Sequence, residues 1–229
     1  MRTCSCVLVS ILAAAPGLLA QSAGQPKGHA DHMEHRFDDP EALSRRFDAP
    51  ARDSWQLPDR VIATLALKPG QSVADIGAGT GYFSMRLAKS AAAPKVYAVD
   101  IEPAMVTYLR DRAAKERTPN VIAVQGAAES PNLPEAVDVV LIVDTYHHIG
   151  DRVAYFRGLA KSLKPGGRVA IIDFRPDSPE GPPAEFRFSP EKFKAEMAQA
   201  GYRPANQYDY LPRQHFLIFT VAGGNARKQ

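Results

Sequence analysis

Cysteine is almost absent from this sequence, and the two cysteines that occur lie together at one end. Among 229 residues, only Cys4 and Cys6 carry a thiol. Beyond residue 6 the chain has no side chain that can act as a cysteine nucleophile, bind zinc through sulfur or form a disulfide. Thiol chemistry and a disulfide framework are therefore excluded for the part of the chain expected to fold.

A charge excess of one sign is also absent. The 28 basic and 25 acidic residues give a formal net charge of +3, and the basic residues do not gather in one stripe. Because affinity for a phosphate backbone needs clustered lysine and arginine, the sequence predicts no nucleic-acid partner. A hydrophobic content of 45% suffices for one α/β domain with a substantial core, which we expect at residues 40–223.

No apolar run is long enough to cross a membrane. Residues 1–20 combine Arg2, a short apolar run at residues 7–15 and a small residue, Ala20, which predicts a cleaved signal peptide and an exported protein, periplasmic or secreted. Two alternatives stay open: an uncleaved anchor that leaves the domain bound to the membrane, and a mis-assigned start codon that leaves it in the cytoplasm. No membrane span is expected once the signal is removed.

The segment that follows, residues 21–39, is polar and predicts a flexible tether. His29, His32 and His35 recur in it at every third residue, a composition that can bind zinc or copper. A solvated linker is the favoured interpretation, and the function proposed below needs no metal. Residues 40–68 then predict N-terminal helices, with Pro40 and Pro58 at first helical positions.

From residue 72 onward, strand-like apolar runs alternate with helical patterns. This order predicts a parallel sheet with helices on both faces, and Pro212 between the last two runs favours an antiparallel hairpin. We therefore expect an α/β fold with a seven-stranded, mostly parallel sheet that closes with a C-terminal antiparallel hairpin. The predicted strands are 72–76, 95–99, 120–124, 137–143, 168–173, 203–208 and 215–221, and the main helices are 82–91, 103–115, 151–163 and 190–200.

The first predicted strand leads directly into a glycine-rich turn. Asp75 precedes Gly77, Gly79 and Gly81, so the spacing is G-x-G-x-G with an acid two residues before the first glycine. Turns that bind dinucleotides have the spacing G-x-G-x-x-G and face a pyrophosphate. A carboxylate repels phosphate and attracts an ammonium group, so we expect a ligand that is cationic at this end.

The stretch from Asp75 to Gly81 resembles motif I of the class I S-adenosylmethionine-dependent methyltransferases, a family with a Rossmann-like fold. Further segments match in order over roughly residues 55–221. The resemblance implies S-adenosylmethionine as cofactor. It also implies that Asp75 and the turn hold the methionine part, that Asp100 holds the ribose hydroxyls and that Ile101 flanks the adenine.

One segment departs from the family's pattern. In the adenine-binding turn that begins at Gly126, Ala127 stands where an aspartate often follows the glycine. The resemblance then implies backbone contacts from Ala127 and Ala128 and a side-chain contact from Glu129. The complete set of predicted cofactor-binding residues is Asp75, Gly77, Ala78, Gly79, Gly81, Asp100, Ile101, Ala127, Ala128, Glu129 and Asp144.

The segment after the fourth predicted strand, Asp144-Thr145-Tyr146-His147-His148, resembles the corresponding turn of small-molecule methyltransferases. It lacks the Pro-Pro pair of enzymes that methylate amino groups of DNA bases. The resemblance places Asp144 near the methionine end of the cofactor and Tyr146, His147 and His148 near the methyl acceptor. Either histidine can serve as a general base, although one of the pair can instead point into the fold and only bond a loop.

The single tryptophan, Trp55, and its neighbour Gln56 precede the glycine turn. In the family, helices at this place commonly cover the cofactor, so both residues are candidates for a lid or for the wall of the acceptor pocket. Packing of Trp55 onto the sheet is the equally weighted alternative.

These observations predict an S-adenosylmethionine-dependent methyltransferase that acts on a small-molecule acceptor through oxygen, nitrogen or carbon. Two alternatives remain: a protein that binds the cofactor without turnover, and a nicotinamide-dependent oxidoreductase. The oxidoreductase is disfavoured because the glycine spacing differs and no Tyr-Lys pair for hydride transfer is evident.

The export signal is directly testable. We expect the protein purified from its native host to begin near Gln21 and to be recovered outside the cytoplasmic fraction. Edman sequencing combined with cell fractionation measures both properties. An intact N-terminus in the membrane fraction would indicate an anchor, and recovery from the cytoplasm would contradict export.

Overall fold

The computed structural model describes Met1 and residues 39–223. Seven strands form one sheet in the order β3-β2-β1-β4-β5-β7-β6. Strands β1 to β5 pair in parallel, whereas β7 runs antiparallel to both β5 and β6. This topology confirms the predicted Rossmann-like sheet with a closing hairpin. The strands are β1 Ser72–Ile76, β2 Lys95–Asp100, β3 Val121–Gln125, β4 Val137–Val143, β5 Leu163–Phe174, β6 Tyr202–Tyr208 and β7 Gln214–Val221.

Helices begin where the sequence offers a cap or a proline. Asp39, Asp151 and Ser189 each accept a hydrogen bond from the backbone N–H three residues later, which satisfies a donor that the helix leaves unpaired. The helices are α1 Pro40–Phe47, α2 Asp53–Gln56, α3 Pro58–Thr64, α4 Tyr82–Lys89, α5 Pro103–Lys115, α6 Arg152–Leu159 and α7 Pro190–Gln199. In the part of the chain that the structure describes, no helix is both long and apolar enough to span a membrane.

The central strands are buried on both faces. In β4, Val139 and Leu141 pack into one layer of the core while Val140 and Ile142 pack into the other. Parallel strands covered by helices on both sides read as continuous apolar runs, which is why the sequence located β1 and β4 with their exact limits.

Strand β5 differs from the prediction, because it begins at Leu163 instead of at residue 168. Leu163 pairs with Val137 and Arg168 with Val139, so residues 164–167 form an irregularity in the ladder. Gly166, with φ of 80°, lies in this irregularity. Residues 2–20 of the predicted signal peptide and nearly all of the predicted tether, with His29, His32 and His35, lie outside the described residues.

The strand order reverses between β1 and β4: the chain adds β2 and β3 on one side of β1, and then β4 and β5 on the other side. The turns that follow β1 and β4 meet at this point. Gly77 has φ of 72°, and a Cβ atom added there would lie 2.2 Å from Oγ1 of Thr145. Glycine is therefore required at position 77 for two reasons, the left-handed backbone and the close approach of the Thr145 side chain. Ligands of open α/β sheets bind at such a switch point, outside the carboxyl ends of the strands.

Alanine substitutions at Gly70 and Gly77 test these two requirements separately. Gly70 also has a positive φ, 81°, but an added Cβ would meet no described atom within 4 Å. We expect Gly70→Ala to lower the free energy of unfolding by about 1 kcal/mol, through backbone strain alone. Gly77→Ala should cost about 2 kcal/mol more, because Thr145 must also move. Urea denaturation followed by circular dichroism measures both values, and equal losses would contradict the packing argument.

Candidate functional site

Asp75 is buried at the carboxyl end of β1, with 3% of the residue exposed. Its Oδ2 accepts a hydrogen bond of 2.7 Å from Oγ of Ser84, one turn into the helix that follows the glycine loop. Burial raises the pKa of Asp75 to about 6, against the lowering effects of Ser84 and of the Arg52 guanidinium. A carboxylate in this setting gains from any additional cation, because a positive charge favours its ionised form.

Asp100 lies at the end of the neighbouring strand β2 and touches the glycine loop. Its Oδ2 accepts from the backbone N–H of Gly79 at 2.8 Å, and its Oδ1 accepts from that of Glu102 at 3.0 Å. Burial also raises the pKa of Asp100. Ile101, the next residue, has a large apolar side chain that is 47% exposed.

The predicted adenine turn is closed on itself. Ala127 donates its N–H to the carbonyl of Ser130 at 2.7 Å and accepts one from Ser130 in return, so the amide of Ala127 is already engaged. Ala128 and Glu129 are exposed. Gln125 donates from Nε2 to the carbonyl of Ile101 at 2.6 Å, and this bond holds the turn beside Ile101.

Asp144 lies directly after β4 and has a left-handed backbone with φ of 53°, a conformation that aspartate tolerates better than most residues. Its carboxylate completes a ring of four polar side chains. Arg52 donates Nε to Gln56 at 3.1 Å, Gln56 donates to Gln214 at 2.6 Å, and Gln214 donates to Asp144. The guanidinium of Arg52 closes the ring with an ion pair of 3.5 Å to Asp144.

This ring joins the N-terminal segment to the sheet. Burial raises the pKa of Asp144 to about 7, although Arg52 opposes that shift. Gln56, one of the two predicted lid residues, is fully buried within the ring. Arg52 and Gln214 were not predicted, because their roles depend on a contact between positions 158 residues apart in the sequence.

Two aromatic residues of the N-terminal segment lie over the carboxyl edge of the sheet. The Phe47 ring is 3.5 Å from the position that a Cβ atom would take on Gly79. Trp55 is partly exposed, and its ring centroid lies 5.9 Å from that of Phe174, the last residue of β5. The guanidinium of Arg213 lies 5.0 Å from the Trp55 ring. Trp55 therefore packs on the sheet and borders the predicted acceptor region at once.

Tyr146 does not lie on the acceptor side. The residue is fully buried, its ring stacks on Phe156, and its hydroxyl donates a 2.5 Å hydrogen bond to Glu196 of α7. This placement corrects the expectation that Tyr146 faces the acceptor. Tyrosine suits this buried position, because its ring packs on apolar neighbours while its hydroxyl keeps a hydrogen-bond partner.

The two histidines are adjacent in the short helical turn Tyr146–His148, and their environments differ. His147 points to Asp173 at the end of β5, with Nδ1 at 2.9 Å from Oδ1 and 3.0 Å from Oδ2. His148 is exposed, and its ring centroid lies 4.2 Å from that of His147. The sequence did not single out Asp173, although an acid at the carboxyl end of a central strand was the available signal.

The side chains at this edge of the sheet suit a cationic organic ligand better than a metal ion. Among residues 39–223, no group of three histidine, cysteine or acidic side chains is placed to hold a metal ion. Asp75 is buried, whereas the side chain of Asp144 is 20% exposed and forms an ion pair with Arg52. Desolvation raises the pKa of both carboxyl groups, and the charge of Arg52 opposes the shift in both. A ligand with an ammonium or sulfonium group fits this cluster, and exposed Ile101 fits a flat base next to it.

The comparisons with known proteins agree with this arrangement. The model of a methyltransferase domain matches residues 73–167. The 27-O-demethylrifamycin SV methyltransferase of Amycolatopsis mediterranei (strain S699) is 29% identical over 194 residues, which cover 78% of this chain and 69% of that enzyme. The phosphoethanolamine N-methyltransferase of Triticum aestivum is 34% identical over 148 residues, 64% of this chain but only 27% of the plant enzyme.

A solved structure supports the same conclusion. The S-adenosylmethionine-dependent methyltransferase from Aquifex aeolicus superposes with a TM-score of 0.73 at 25% sequence identity, covering 80% of this chain and 99% of that one. The matched domain and the superposition show that this chain contains a class I S-adenosylmethionine-dependent methyltransferase domain, with S-adenosylmethionine as the methyl donor.

Proposed function

We propose that this protein transfers the methyl group of S-adenosylmethionine to a small organic acceptor bound over the carboxyl ends of β4 and β5. The observation that carries the proposal is the pair of carboxylates at the switch point of the sheet, buried Asp75 and partly exposed Asp144, of which Asp144 is ion-paired with Arg52. The relatives named above act, by their names, on small organic molecules, and they include both an O- and an N-methyltransferase.

Within this proposal each part of the cofactor has a place. Asp75 and the glycine turn would hold the methionine part, and Asp100 would hold the ribose hydroxyls. Ile101 with Ala128 and Glu129 would hold the adenine, because the backbone of Ala127 is bonded to Ser130. When bound, S-adenosylmethionine supplies a methyl group on a positively charged sulfur. The chain itself supplies proximity, alignment and exclusion of water, which together account for a large part of the barrier reduction in such displacements.

The N-terminal segment would close the site. Asp48 accepts from Arg112 at 2.8 Å, and the same nitrogen of Arg112 donates to the carbonyl of Thr80 in the glycine turn at 2.8 Å. Asp53 accepts from the hydroxyl of Tyr82 at 2.5 Å. These bonds and the ring around Asp144 hold the segment against the cofactor loop, so water is kept from the methionine end.

The pH dependence of cofactor binding tests this placement. The ammonium group of the cofactor favours the ionised form of Asp75, whose pKa is raised to about 6. Protonation of Asp75 at low pH therefore weakens binding, and the dissociation constant should fall as pH rises, by up to about tenfold per pH unit below the pKa. Calorimetric titration in two buffers of different ionisation enthalpy should also detect proton release on binding.

Two variants sharpen the test. Asp75→Asn should weaken binding and flatten its pH dependence. Asp138→Asn is the matched control, because Asp138 accepts a hydrogen bond from the backbone N–H of Ser72 at the opposite end of β1. Burial raises the pKa of Asp138, but the bonds from Lys164 and Ser72 outweigh burial, so the pKa is lowered. This control should bind like the wild type at every pH. Affinity that does not vary with pH would contradict the role of Asp75, and no binding of S-adenosylmethionine at all would refute the proposed function.

A further inference from the structure

His147 and Asp173 form a pair that the cofactor does not require. His147 lies in the turn after β4 and Asp173 is the penultimate residue of β5, so the pair spans two adjacent strands on the side away from Asp100. The ring and the carboxylate are both largely buried, with side-chain exposures of 8% and 2%. A buried imidazole held by a buried carboxylate is an arrangement that tunes proton transfer.

Asp173 is itself held in place by the backbone. Its Oδ1 accepts the N–H of Phe174 at 2.7 Å, and its Oδ2 accepts the N–H of His147 at 3.2 Å. Because both oxygens are anchored, the carboxylate has one orientation and directs Nδ1 of the imidazole toward itself. The remaining ring nitrogen, Nε2, is then the atom that can accept a proton.

We propose that His147 is the general base of the reaction, that Asp173 is its positioning residue, and that the methyl acceptor is therefore a hydroxyl group. This inference rests on the proposed function and goes beyond it, because it names the atom that is methylated. A neutral amine already carries a lone pair and can attack without losing a proton first. A hydroxyl oxygen becomes a good nucleophile only as its proton is removed, so a built base favours this class of acceptor.

The step balances without any further reactant. The O–H bond of the acceptor breaks and its proton moves to Nε2 of His147, while the oxygen forms a bond to the methyl carbon. The bond from that carbon to sulfur breaks, and its electron pair stays on sulfur, which becomes neutral. His147 gains a positive charge that the carboxylate of Asp173 stabilises, and it later releases the proton to water.

The charged groups around His147 set the direction in which its pKa shifts. Burial and the positive charge of Arg152 lower the pKa of His147. The hydrogen bond to Asp173 and the negative charges of Asp173 and Asp144 raise it and outweigh the first two effects, so the pKa of His147 is raised. His148, on the same turn, is a further ionisable neighbour, with its ring centroid 4.2 Å from that of His147. The base form of His147 is present above its raised pKa, and activity should be lost as pH falls through that value.

A purely structural pair would behave differently. In that case His147 only fastens the turn after β4 to β5, and glutamine, which can also donate to Asp173, would preserve activity. A general base contributes roughly 100-fold to 10,000-fold to the rate, so His147→Gln should lose at least about 100-fold in kcat. Binding of S-adenosylmethionine, measured by calorimetry, should stay within about twofold of the wild type, because the variant leaves the residues around Asp75 and Asp100 intact.

The pair itself can be examined without an acceptor. The pKa of His147 is measured from the pH dependence of its ring signals by NMR, and the signals are assigned by their loss in His147→Gln. Asp173→Asn keeps the size of the side chain and removes its charge, so the pKa of His147 should fall. An unchanged pKa in Asp173→Asn would overturn the assignment of Asp173 as the positioning residue.

The acceptor class is decided by a panel of phenols, alcohols and primary amines, with release of S-adenosylhomocysteine as the readout. The wild-type protein is expected to methylate hydroxyl compounds at a rate that falls at acidic pH. This fall, the acidic limb of the pH–rate profile, should be absent in His147→Gln. The variant should be far less impaired with 4-nitrophenol, which is largely ionised at mildly alkaline pH, than with phenol. Asp173→Asn should shift the acidic limb to lower pH.

Three results would overturn the inference while leaving cofactor binding, and hence the proposed function, intact. The first is turnover confined to amines. The second is equal loss of activity with phenol and 4-nitrophenol in His147→Gln. The third is disappearance of the acidic limb in His148→Gln instead of His147→Gln, which would identify the exposed neighbour as the base.

Discussion

The contact between Gly77 and Thr145 holds the two halves of the site together. Each residue lies in the turn that follows a central strand, and the missing side chain of Gly77 lets Thr145 approach to a distance that a Cβ atom would forbid. Because of this approach, the turn that carries Asp144 and His147 lies against the turn that carries the glycines. The cofactor side and the acceptor side of the proposed reaction are thereby brought to one edge of the sheet.

Electrostatics at this edge follows from burial. Asp75, Asp100 and Asp144 lose water when the sheet forms, and desolvation is the largest effect on the pKa of each. Arg52 offsets part of this cost but faces two of the three carboxylates. Ionised carboxylates that have lost water are stabilised when a positively charged ligand binds beside them. The burial that destabilises the ionised carboxylates therefore favours binding of a cationic ligand.

The proposed acceptor side depends on connections between distant parts of the chain. The polar ring around Asp144 joins the helix before the glycine turn to the last strand, and the pair of His147 and Asp173 joins two strand ends 26 residues apart. Buried polar side chains keep their partners because an unpaired one costs about 1–3 kcal/mol. These connections therefore make the position of each side chain depend on several others.

The sequence by itself determined the fold and predicted where the cofactor site lies. Apolar runs buried on both faces mark the central strands, and the glycine spacing with its preceding acid identifies the turn, because local backbone geometry and local charge suffice for both inferences. The sequence also predicted the segment from Asp144 to His148 but not the roles within it. Only the tertiary structure showed that Tyr146 turns into the core, that His147 faces Asp173, and that Arg52 and Gln214 meet at Asp144. Those outcomes depend on which side chains the packed layers bring within hydrogen-bonding distance, and no local pattern encodes contacts between residues so far apart.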